Sequence, residues 1–230
     1  LSHNPELMQV FNMGHQRAGF QQQALAGSVL AYAENIENLK PLLALLLTLQ
    51  QARFVGIRAE HYPIVGKHSS PLLKMYSASA TPELIDAWTA AYTRLADILI
   101  GAEKNIYDKN AVVEGGWTGW RFFKVAEKSK QTNDITSFKL VPVDHGKMPD
   151  VKAGQYISVR VFVKGQELIQ PRQYTVVKAD AASFTIAVKK VEAAEKSPAG
   201  MVSNTLHNDI QEGDLVEVSF PVGEFNLPEG

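Results

Sequence analysis

Two domains of different class are predicted: an all-α bundle followed by a small antiparallel β-barrel of six strands. Three observations carry this. Over residues 4–107 the apolar side chains recur at three and four, the period of a helix with one buried face, whereas from Trp117 onward they alternate in short runs broken by Gly, Pro, Asn and Asp. Between these regions, 108–116 is a polar stretch that ends in two glycines, the composition of a linker. The 230 residues, 45% of them hydrophobic, are enough for one large core or two small ones. The boundaries read from these shifts are 1–107 for the helical domain, 108–116 for the linker and 117–230 for the barrel.

In the helical half, Asn4 precedes Pro5 and Glu6, a capping side chain ahead of a proline at the first helical position. Leu25, Val29, Tyr32 and Ile36 then fall on one stripe of a second helix. Lys40-Pro41 opens a third, apolar nearly all round over the leucines from Leu42 to Leu49, which places it centrally in the domain. Thr81-Pro82-Glu83 is another helix start, after which Leu84, Trp88, Ala91, Leu95, Ile98, Ala102 and Ile106 keep one face apolar for about six turns.

In the second half, strands are expected at 121–126, 136–143, 155–163, 173–178, 184–191 and 214–220, with one brief helix near 202–208. The third strand shows the alternation most clearly. Ile157, Val159, Val161 and Val163 point one way, and Tyr156, Ser158, Arg160 and Phe162 the other.

Composition excludes several functions. Lys+Arg number 23 against 24 Asp+Glu, so there is no basic stripe for nucleic acid. With no cysteine, disulfide scaffolds, thiolate metal sites and cysteine nucleophiles drop out. The apolar run from Leu42 to Leu49 is too short to cross a bilayer, and the expectation is a cytoplasmic monomer with no integral membrane segment. None of the six histidines pairs with another at metal-ligand spacing, which argues against a zinc site.

The strongest local motif is Pro171-Arg172-Gln173-Tyr174-Thr175, followed by Ala199-Gly200-Met201-Val202-Ser203-Asn204. In the first, a planar guanidinium suited to phosphate, a ring on the same strand face and a hydroxyl lie within four residues. In the second, a glycine opens a short helix whose free N–H groups, with the Ser203 hydroxyl, make an anion site that a pyrophosphate would fit. Taken singly, Arg172 also suits a surface ion pair and Gly200 an ordinary turn.

Taken together and in this order on a six-stranded barrel, the two motifs resemble the FAD-binding domain of the ferredoxin-reductase-like superfamily. Ala153-Gly154-Gln155-Tyr156 and Pro221-Val222-Gly223-Glu224-Phe225 extend the resemblance. It implies cofactor-binding roles for Tyr156, Arg172, Gln173, Tyr174, Thr175, Gly200, Met201, Val202 and Ser203. Arg172 and the Gly200, Met201, Val202, Ser203 turn would face the flavin diphosphate, Tyr174 and Thr175 the isoalloxazine and ribityl side, and Tyr156 the adenine side.

The helical half is similar to the globin domain of bacterial flavohaemoglobins, through His3-Asn4-Pro5-Glu6-Leu7, Phe11-Asn12-Met13, Asn35-Ile36-Glu37-Asn38-Leu39, Tyr62-Pro63-Ile64-Val65-Gly66 and Asp86-Ala87-Trp88. The resemblance implies a nitric oxide dioxygenase that turns NO and O2 into nitrate with electrons from NAD(P)H, passed through FAD to haem b. It further implies a haem pocket with Phe11, Gln21 and Leu25, and a catalytic contribution from Gln21 and Tyr62. It finds no counterpart in this chain for the family's first helices or for its NAD-binding domain, so a chain truncated at both ends is expected.

Departures from the pattern are equally specific. The proximal histidine position falls at Ala52 counting back from Tyr62, or at Arg53 counting forward from Leu39. Neither a methyl group nor a protonated guanidinium can donate a lone pair to iron. The family's proximal glutamate aligns with Asn105, and Pro71 interrupts a segment that is helical in the family. Of His15, His61 and His68 in this half, His61 and His68 could approach a pocket, though a lone histidine also suits a surface or hydrogen-bonded role. Two further readings follow, a flavin-binding, haem-free, non-catalytic protein and a degenerate structural remnant.

Overall fold

The computed structural model describes residues 32, 35, 59–60, 62–64, 66, 81–195 and 197–223. The expected helix starts before Tyr32 and the leucine-rich helix lie outside these residues, as do Phe11, Gln21, Leu25, Ala52, Arg53, Pro71, His15, His61 and His68. Helix α1 is Pro82–Val112. The barrel follows as β1 Trp120–Lys130, β2 Ile135–Pro142, β3 Tyr156–Val163, β4 Leu168–Asp180 and β5 Ser183–Lys189, then helix α2 Met201–Asn208 and β6 Leu215–Ser219. Among the described residues no helix is long and apolar enough to cross a membrane.

Helix α1 starts where the cap signal places it. The Thr81 side chain accepts the Leu84 N–H at 3.3 Å, and Pro82 occupies the first turn, where its missing N–H costs nothing. Leu95, Ala96 and Glu103 are its buried residues. Leu84, expected on the apolar face, is 46% exposed because it sits in the first turn. The helix runs through Val112, so it includes the first residues of the stretch expected as linker. It stops at a glycine pair. Gly115 has φ +72°, and a Cβ on Gly116 would lie 2.0 Å from the Asn110 carbonyl oxygen, so the chain can turn this tightly against the helix only without side chains.

The six strands close into a barrel in the order β1-β2-β5-β4-β3-β6, all neighbours antiparallel. Alternation places Phe123, Val125, Phe138, Leu140, Ile157, Val159, Phe184, Ile186, Val188, Val216 and Val218 inside. Phe123 and Phe184 stack at 5.9 Å, and Trp117 closes over them at 5.8 and 6.5 Å while its indole N–H donates to the Val218 carbonyl. Arg121 lies 5.0 Å from the Trp117 ring and grips Asp144 with two nitrogens. These contacts seat the chain entering from α1 on the barrel.

Two strands are longer than expected. β1 continues to Lys130 past a bulge between Val125 and Glu127. β4 begins at Leu168 and takes in Pro171. A proline is tolerated there because β4 pairs β3 over 168–175 but pairs β5 only over 176–180, which leaves its other edge without a strand at Pro171.

Candidate functional site

Because β4 changes partner along its length, β4 and β5 part beyond the Val176–Ile186 pair. Helix α2 lies at this parting. His207 reaches the Val188 carbonyl at 2.8 Å and Asn204 the Val191 carbonyl at 2.8 Å, both beyond Ile186 on the β5 side. The helix packs against β3, β4 and β5, and its Val202 and Leu206 are buried in the barrel core. Helix α2 therefore lies beside the end of β5 from which β4 has parted.

Strand geometry divides the β4 candidates between two faces. Arg172 and Tyr174 share a face with the buried Gln170 and Val176, and both are half-buried. Gln173 and Thr175 are exposed on the other face, where Thr175 pairs with Tyr156 of β3. Tyr156 in turn bridges to Val222, and a Cβ on Gly223, whose φ is +129°, would sit 3.2 Å from the Tyr156 ring. The downstream motif is thus laid against Tyr156 through close backbone approach.

Arg172 carries the distinctive electrostatics. Its Nη1 donates to the Pro171 carbonyl at 2.6 Å, and among the described residues it forms no ion pair. Burial lowers its pKa, and the nearby Tyr174 acts in the opposite sense. Burial likewise pushes the Tyr174 phenol up, with Arg172 opposing, so the tyrosine stays neutral and donates. A half-buried guanidinium without a carboxylate costs free energy unless an anion meets it.

The first turn of α2 is held by its own side chains. Ser203 Oγ accepts the Val191 N–H at 3.3 Å and donates to the Gly200 carbonyl at 3.2 Å. Its hydroxyl is therefore engaged with the backbone of Val191 and Gly200. Asn204 Nδ2 donates to both Val191 O and Gly200 O, a tie that sequence reasoning missed because it depends on where β5 leads the chain. The N–H groups at the start of α2, on Met201, Val202 and Ser203, remain the anion-facing elements, since a helix offers them no internal acceptor. Gly200 is needed for contact, as a Cβ there would lie 2.6 Å from Ser203 Oγ and 2.9 Å from Val191 Cβ. We expect Gly200→Ala to displace this turn and weaken anion binding about threefold to tenfold, roughly 1 kcal/mol of overpacking. Titration of the variant against wild type checks this, and equal affinity would show the turn tolerates the methyl.

A family model described as an oxidoreductase FAD-binding domain matches residues 122–227. The flavohemoprotein of Bordetella pertussis (strain Tohama I) is 52% identical over 231 residues, covering 99% of this chain and 57% of that protein. That of Chromobacterium violaceum is 49% identical, with the same coverage. The crystal structure of a flavohemoglobin from Malassezia yamatoensis with bound FAD and heme matches 98% of this chain and 57% of its own, with a TM-score of 0.79 at 28% identity. Over nearly its whole length the chain is similar to flavohemoproteins. It spans a little over half the length of the relatives it matches.

Among the described residues of the helical half, Tyr62 meets the buried Glu103. Tyr62 Oη donates to Glu103 Oε1 at 2.9 Å, and Tyr92 Oη donates to the Tyr62 carbonyl at 2.8 Å. Glu103 is 7% exposed, and burial pushes its carboxyl up to about 7 while the Tyr62 hydroxyl pulls it back. The acid facing Tyr62 is therefore Glu103, and the alignment of the family's proximal glutamate with Asn105 was displaced by two residues. Asn105 is exposed.

Proposed function

We propose that this chain is the flavin-holding part of a nitric oxide dioxygenase, in which electrons from NAD(P)H reach haem through FAD and NO and O2 become nitrate. The observation that carries the flavin part is Arg172: a half-buried charge that forms no ion pair among the described residues, beside Tyr174 on the stretch of β4 that has left β5. An FAD diphosphate supplies the missing anion. The guanidinium fork suits two phosphate oxygens, and the N–H groups at the start of α2 take others. The stretch of β4 that no described strand pairs on its second edge presents Tyr174 on one face and Thr175 on the other, and Tyr156 offers a ring toward the adenine side. Gly200 leaves room for Ser203 and Val191 to pack against the first turn of α2. Bound FAD would accept a hydride equivalent and release its electrons singly, chemistry that belongs to the cofactor. The protein's part is to neutralise the diphosphate, orient the ring and shield it from water.

The haem donor set does not fit. At the two positions where the family resemblance expects a proximal histidine, this chain has Ala52 and Arg53, and neither can ligate iron. That observation favours a second reading, a flavin-binding protein without haem. An absorption spectrum of the purified chain supplied with FAD and haemin separates the two. Flavin bands with a Soret band and NO-dependent nitrate formation support the dioxygenase, and flavin bands alone support the haem-free protein. A colourless product would overturn both.

A further inference from the structure

The far end of α2 is closed by a residue outside both sequence motifs. The bulge in β1 inserts one extra residue between Val125 and Glu127, so that Lys128, rather than Glu127, falls opposite Phe138 on the inner side of the barrel. Phe138 is fully buried, and the Lys128 ammonium lies 5.7 Å from its ring. From there Nζ donates to the His207 carbonyl at 2.7 Å and the Ile210 carbonyl at 2.6 Å. The His207 carbonyl is among those that a helix leaves without internal partners at its negative end, and Ile210 follows the C-cap residue Asp209.

We propose that Lys128 is a positioning residue for the bound diphosphate: it anchors the C-terminal end of α2 and so sets where the N–H groups of the first turn point. The proposal rests on the flavin reading above. Helix α2 has eight residues, about 12 Å of rigid rod at the usual rise, so a tilt at one end is transmitted to the other. Its first turn is held by Ser203 and Asn204 to Val191, and its last turn by Lys128 and by His207, whose ring donates to Val188 and meets Thr136 Oγ1 at 3.4 Å. Of these ties only Lys128 carries a positive charge onto the negative helix end. Burial lowers the lysine's pKa, and Asp209 and Asp214 oppose that shift, keeping it an ammonium. The cation also complements the partial positive charge that the same helix presents to phosphate.

The test uses the whole chain as wild type, Lys128→Met and Lys128→Arg, titrated with FAD. Bound FAD is then examined by its phosphorus resonances and its visible flavin bands. Lys128→Met should bind FAD roughly fivefold more weakly, the factor expected of a charge at a helix end, with shifted phosphorus resonances and unchanged flavin bands. Lys128→Arg should match wild type. Unaltered affinity and phosphorus resonances in Lys128→Met would overturn the proposal. So would an equal disturbance of the flavin bands, which marks general loosening, or an arginine variant as weak as the methionine one. If Lys128→Met does not fold, Lys128→Gln is judged by the same outcomes, and failure of both to fold shows a stability role instead. Wild type that binds no FAD defeats the underlying flavin reading rather than the role of Lys128 within it.

Discussion

Arg172→Leu should weaken FAD binding by roughly 30- to 100-fold, about 2–3 kcal/mol, because a diphosphate otherwise met by a charged fork is left without that partner. The same change should leave the apo-protein as stable as wild type or more so. The guanidinium is half-buried and pairs with no carboxylate among the described residues, and removing an uncompensated charge relieves a desolvation cost. Arg172→Lys should fall between the two, since it keeps the charge but loses the planar fork. Fluorescence titration with FAD and a thermal melt of the apo-protein give both quantities. If Arg172→Leu binds FAD like wild type, the diphosphate lies elsewhere. If it binds weakly only because the apo-protein has unfolded, Arg172 is a structural residue.

Raising pH from 5 to 8 should cost the helical half about 1–3 kcal/mol of stability through Glu103. The sign follows from the direction of the shift. Burial raises the folded carboxyl to about 7 from the ordinary 4.5, so between these values the folded chain holds a proton that the unfolded chain has released. Stability is greatest below 4.5 on this account and is lost as pH rises through about 7. In Glu103→Gln the amide oxygen can still accept from Tyr62 while carrying no titratable proton, so this dependence should vanish. Thermal melts followed by helix circular dichroism at pH 5, 6, 7 and 8 measure it. Equal slopes in wild type and variant would mean that the carboxyl ionises as freely folded as unfolded.

The barrel was legible in the sequence where a single period governs it. β3 alternates as Ile157, Val159, Val161 and Val163 require, and all four are buried. Thr81 and Pro82 start α1 because capping is a local matter of one side chain and one turn. The Arg172–Tyr174 pairing on one strand face follows from the same two-residue period, and the glycine at the head of α2 from its missing Cβ.

What the sequence hid depends on contacts between distant segments. A bulge changes which face a residue takes, and its presence in β1 is decided by register with β2, so Lys128 could not be recognised as an inner residue. The Ser203 hydroxyl looked available until the chain leaving β5 brought Val191 to it. Glu103 and Asn105 stand two residues apart, about 200° around a helix, so only packing against Tyr62 could tell which one is buried. Sequence alone determined the class of the β half, the capped start of α1 and the residue types proposed to hold a flavin diphosphate. The tertiary structure decided where β4 leaves β5 and where α2 packs, because β4 exchanges β3 for β5 part-way along its length, and strand pairing over long separations is set by the closure of the whole barrel.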